Sequence, residues 1–99
     1  PQRSPLAPNI PTFQEAGVTG YEAYTWLMLM APAGTPARTI LAANAAANRA
    51  LANPAVANRM AELAIQVVQG STPETASDFL AREIAKWEPI VRAAGIRAG

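Results

Sequence analysis

Two aromatic rings and a hydroxyl stand together at Tyr24-Thr25-Trp26, and this is the cluster best suited to meet a ligand. Rings beside a hydroxyl can form one wall of a cleft and supply a polar contact. The same residue types also pack well in a β-strand, with the hydroxyl satisfied locally. A second candidate is Ala31-Pro32-Ala33-Gly34-Thr35-Pro36, a loop that leads into a helix start. Helix N-termini attract anions, but one glycine is no phosphate-binding fingerprint. The plainer role is a loop capped by Thr35. Asn44 and Asn48, one turn apart, can form a polar ladder or meet a loop backbone from the helix margin.

Reactive pairs are missing. Glu83 and Glu88 are five residues apart and do not share a helix face. Glu62, Glu74 and Asp78 fall at solvent-facing positions. Ser71 and Thr72 have no base nearby, and capping is their natural role. Histidine and cysteine are both absent from the 99 residues. That removes the commonest general base, the thiol nucleophile and the usual zinc ligands. Neither an enzyme, a metal site nor a cofactor is expected. The net charge is +1 and the charges are scattered, so no basic stripe marks nucleic acid. No apolar run is long enough to span a membrane. The chain opens on Pro1, which is no translation start, and reads as processed or excerpted.

The elements that would position these residues follow from local signals. Pro1, Pro5, Pro8 and Pro11 make residues 1–20 an extended, irregular region. Thr12 and Glu15 have capping-box spacing for a short helical turn ended by Gly17. Residues 21–99 form the second region. Tyr21–Met30 is apolar on both faces from Trp26 onward, which predicts a strand in a covered sheet, as in α/β proteins. A ten-residue helix competes for the same segment. Pro36 to about Ala52, Pro54 to about Leu63 and Pro73 to about Ala94 carry cap-and-proline starts and helical apolar spacing. Pro89 should kink the last helix. Ile65–Gln69 reads as a short strand closed by Gly70. The hydrophobic fraction is 51%, but 23 of those residues are alanine, so bulky core-formers are few.

The order of short motifs carries a resemblance. Pro8-Asn9-Ile10-Pro11-Thr12-Phe13-Gln14-Glu15-Ala16-Gly17 is followed by Gly20-Tyr21-Glu22-Ala23, Trp26 and Ala31-Pro32-Ala33-Gly34-Thr35-Pro36. Then come Asn44, Asn48 to Pro54, Thr72-Pro73-Glu74, Phe79-Leu80, Glu83, Lys86-Trp87 and Ala93-Ala94-Gly95-Ile96. Over nearly its whole length the chain resembles the C-terminal third of Bug-type (TctC-like) receptors of tripartite tricarboxylate transporters.

The resemblance implies an α/β fragment of a two-lobed, periplasmic-binding-protein-like (type II) fold, with helices packed on a short sheet. It implies a periplasmic solute-binding protein that captures a small organic acid between closing lobes and delivers it to membrane transporter subunits. The family's carboxylate-gripping loops lie mostly upstream. Tyr24, Thr25 and Trp26 are then candidates for the cleft margin or hinge. Met28 stands where the family usually has glycine, and Ala64 where it usually has another. The rival reading is a free-standing, alanine-rich helical module for protein interaction or dimerisation. A helical Tyr21–Met30 would favour it over the receptor reading. Unpaired strand edges would make the fragment self-associate.

Overall fold

The computed structural model describes residues 2–97. Pro1, counted in the proline-rich region, and residues 98–99, the end of the second region, lie outside them. Three helices follow one another: α1 (Ala37–Ala52), α2 (Pro54–Glu62) and α3 (Pro73–Ala93). Each starts at a proline signal. At α2 the Asn53 side chain accepts from the Ala55 N–H at 2.9 Å, with Pro54 as the first helical residue. At α3 the Thr72 hydroxyl accepts from the Thr75 N–H at 3.2 Å, while the Thr75 hydroxyl accepts from the Thr72 N–H at 2.9 Å. That reciprocal pair is a capping box with threonine in the place usual for glutamate. At α1 the expected cap is not used: Pro36 is the cap residue, and the Thr35 hydroxyl donates to the Pro32 carbonyl at 2.7 Å.

α3 continues through Pro89, and Arg92 occupies its last turn. The helix ends in a left-handed Gly95 with φ of +66°. The Gly95 N–H reaches the Arg92 carbonyl and the Ile96 N–H the Val91 carbonyl, both at 3.2 Å, which closes the open carbonyls of the last turn. α2 ends differently. Ala64 takes the left-handed conformation, φ +59°, in a position suited to glycine.

The expected α/β sheet is not formed. Among the described residues there is no strand, and neither Tyr21–Met30 nor Ile65–Gln69 has regular structure. The apolar composition of both segments was a sound reason to expect burial. A strand, however, exists only when a neighbour completes its hydrogen-bond ladder. These two segments find no such neighbour among the described residues. Tyr21–Met30 is not helical either. Thr12 to Gly17 forms turns rather than a helix, although both bonds of its capping box are made: Glu15 accepts from the Thr12 N–H at 2.8 Å, and Thr12 from the Glu15 N–H at 3.2 Å.

The helices pack thinly. α1 touches both α2 and α3. The radius of gyration is 16.8 Å, against about 13 Å for a compact domain of this length. No apolar side chain among the described residues is buried. Polar side chains therefore hold the junctions. The Asn44 and Asn48 amides on α1 both donate to the Ser71 carbonyl, at 2.9 and 2.8 Å. The Gln69 amide donates to the Leu51 carbonyl at 3.0 Å. The loop before α3 is thus stitched to α1, which fixes where α3 begins.

Two substitutions test this account in chemical denaturation. Asn44→Ala or Asn48→Ala alone should cost about 0.5–1.5 kcal/mol. The double variant should cost more than the sum, because only then does the shared Ser71 carbonyl lose both donors. Ala64→Gly should stabilise the chain by roughly 0.5–1 kcal/mol. Relief of left-handed strain outweighs the extra freedom of the unfolded glycine.

Candidate functional site

The site grows from the inner face of α3. Phe79, Leu80, Glu83 and Trp87 recur along one helical stripe that turns toward the segment after Tyr21. A carboxylate on an apolar stripe is unusual, and Glu83 is the one buried residue among those described, 9% exposed. Two indole N–H groups meet it. Trp87, one turn along the same helix, donates to Glu83 Oε2 at 3.0 Å. Trp26, far away in sequence, donates to the same oxygen at 3.3 Å. The Trp26 ring also meets Phe79 edge-on, with centroids 5.3 Å apart and planes at 88°.

Lys86, the single lysine of the chain, extends the contact. Its ammonium donates to the Glu22 carbonyl and lies 5.8 Å from the Tyr24 ring centroid and 5.3 Å from that of Trp87. Glu22 and Trp26 are therefore both tied to α3, and Tyr24 and Thr25 lie between the two ties. Exposure then alternates. Trp26 and Met28 are half-buried against the helices, while Leu27 and Leu29 are 85% and 78% exposed.

Beyond Trp26 the segment borders a groove of about 430 Å³ between α1 and α3. Met28 and Met30, with Ile40 and Ala43 of α1 and Ala76 and Leu80 of α3, make it mainly apolar. Asn44 at its edge is committed to Ser71. A second, polar hollow lies near the N-terminus between Arg3, Thr12 and Glu15. There the Arg3 guanidinium contacts the Glu15 carboxylate at 2.9 Å. Hydrogen bonds from Arg3 and then from the Thr12 backbone hold the Glu15 carboxyl below its ordinary pKa. Both side chains are exposed, so this pair orders the N-terminal turns and little else.

The three sequence candidates thus take different places. Trp26 is anchored, Tyr24 faces the lysine, and Thr25 is exposed. The groups that the sequence did not bring to them are Glu83 and Lys86. Their position on the α3 stripe was the available signal. No group of carboxylates among the described residues could hold a metal ion. The Glu83 oxygen already accepts two bonds, and Lys86 is engaged with a carbonyl. Nothing here pairs a nucleophile with a base.

Residues 1–96 match the model of the tripartite tricarboxylate transporter family receptor (TctC). The chain is 36% identical over 90 residues to a UPF0065 protein of Pseudomonas sp. strain P51, covering 90% of this chain and 26% of that protein. It is 35% identical over 95 residues to protein BugT of Bordetella pertussis, covering 96% of this chain and 29% of BugT. No solved structure matches. Proteins of the TctC family are solute receptors, not enzymes. The chain belongs to the tripartite tricarboxylate transporter receptor family, the TctC or Bug type, whose receptors are periplasmic. It spans between a quarter and a third of the length of the curated relatives it matches.

Two variants separate the contributions of Trp26. Trp26→Phe keeps a ring against Phe79 and removes the N–H; it should cost about 1 kcal/mol in urea denaturation. Trp26→Ala also loses the ring contact and should cost about 2 kcal/mol or more. Acidification tests the outlying Arg3–Glu15 pair. Because the folded Glu15 pKa is lowered, its contribution is complete above the ordinary carboxylate value and lost as pH falls through the lowered one. Proton shifts of the Thr12 and Glu15 amides should move in that acid window and stay constant at neutral pH.

Proposed function

We propose that this chain is the C-terminal part of a periplasmic receptor that captures a small organic acid for a tripartite tricarboxylate transporter. The observation that carries the reading is the family match across residues 1–96. In the intact receptor, ligand is held reversibly between lobes that close about a hinge, and membrane transporter subunits receive it. Tyr24, Thr25 and Trp26 belong to the cleft margin or the hinge. Their segment is an irregular stretch tied to α3 at two points, by Lys86 at Glu22 and by Glu83 at Trp26. A helical Tyr21–Met30 would have favoured the rival helical module, and the segment's backbone is irregular.

By itself the chain binds ligand weakly or not at all, since most of the gripping loops of the receptor lie elsewhere. Calorimetric titration with citrate, succinate and lactate should give no binding tighter than millimolar. Micromolar affinity for any of them would overturn this reading.

A second property is favoured by surface area. The chain exposes 8240 Å², whereas a compact monomer of 10.4 kDa exposes about 5,400 Å². The surplus is of the order an obligate interface covers. Leu27, Leu29 and Met30 contribute part of it as an exposed apolar run. The isolated chain therefore self-associates. Light scattering across a hundredfold concentration range should show mass rising above 10.4 kDa; a constant monomer mass would refute it.

A further inference from the structure

We infer that Glu83 is a positioning residue for the Tyr24–Trp26 segment, acting as a shared acceptor with one permanent and one releasable donor. The reading builds on the cleft-margin proposal only in what the segment is for; the latch itself rests on geometry.

A buried carboxylate must keep at least one good donor, because leaving it unpaired costs far more than an ordinary hydrogen bond contributes. Trp87 meets that requirement permanently. It lies four residues from Glu83 on the same helix, and its N–H···O distance of 3.0 Å depends only on α3 remaining helical. Trp26 reaches the same oxygen from 57 positions away, at a longer 3.3 Å, on a segment with no regular backbone structure. If the segment swings off, Trp26 withdraws and Glu83 is still satisfied by Trp87. Release then loses one long hydrogen bond and the Phe79 edge contact, without stranding a buried charge.

The arrangement differs from a plain structural anchor, in which the loss of one partner orphans the other. It also fixes the direction of the effect. Glu83 governs where Trp26 sits, and through it Thr25 and Tyr24. The other end of the segment is held by Lys86 at the Glu22 carbonyl. Lys86 also lies over the Tyr24 and Trp87 rings, so the two ties share the Trp87 indole as common ground.

The test uses the full chain with ¹⁵N-labelled tryptophan and reads solvent exchange of the two indole N–H signals without ligand. Glu83→Gln preserves shape and an acceptor oxygen but removes the charge that strengthens both bonds. Protection of the Trp26 indole should fall roughly fivefold, with a smaller fall at Trp87 and unchanged exchange of the α3 backbone amides. Trp87→Phe removes the competing donor and should leave Trp26 protection equal or higher. Equal losses at both indoles, or no loss at Trp26, would overturn the latch. If Glu83→Gln loses its far-ultraviolet helical signal, Trp87→Phe decides alone: retained Trp26 protection supports the latch, and lost protection refutes it. Citrate titration monitored at the Tyr24 ring is a separate arm. A shift there at micromolar citrate would overturn the proposed weak binding of the isolated chain and leave the exchange result standing.

Discussion

The structure depends on one buried carboxylate. Glu83 sits where a helix of this pattern would ordinarily place an apolar side chain, and it organises what surrounds it because it cannot be left unpaired. Its two indole partners come from parts of the chain far apart in sequence, one on α3 and one on the irregular segment after Tyr21. With no apolar side chain buried among the described residues, this polar centre does what a hydrophobic core would do elsewhere. Removing Glu83 would leave Phe79 and Lys86 as the chief links between that segment and the helices.

The asparagine stitch is the counterpart at the other end of α3. Asn44 and Asn48 converge on a single carbonyl, that of Ser71, immediately before the capping box at Thr72. Ser71 lies just outside α3, and its carbonyl is met by these amides instead of by the helix. Two amides from a neighbouring helix therefore hold the start of α3 against α1. Since α3 carries Glu83 and Lys86, the placement of the Tyr24–Trp26 segment depends on α1 through that carbonyl. A receptor-family element whose apolar contacts are thin can still hold a surface in place, because directional bonds act at its few junctions.

The helices were legible because their signals are local. Asn53-Pro54 and Thr72-Pro73 specify starts within two residues, and Gly95 a stop. The strands were not, because a strand depends on what lies beside it. Tyr21–Met30 and Ile65–Gln69 have the composition of covered strands and no pairing partner among the described residues. Of the candidate site, the ring cluster at Tyr24 and Trp26 was visible, as was the one-turn spacing of Glu83 and Trp87. The link between Trp26 and Glu83 was hidden, since contacts across 57 residues leave no local pattern. Thr75 in place of glutamate in the α3 capping box shows the same limit on a smaller scale: the pairing is chemical, and more than one side chain can supply it.

Both tryptophans of the chain converge on the same oxygen atom. Their emission therefore describes one junction, not the molecule. An optical transition followed at the indoles records the parting of the Tyr21 segment from α3, whereas circular dichroism records the melting of three helices. The two curves need not coincide. Any midpoint taken from fluorescence alone would assign to the whole chain the behaviour of a single contact.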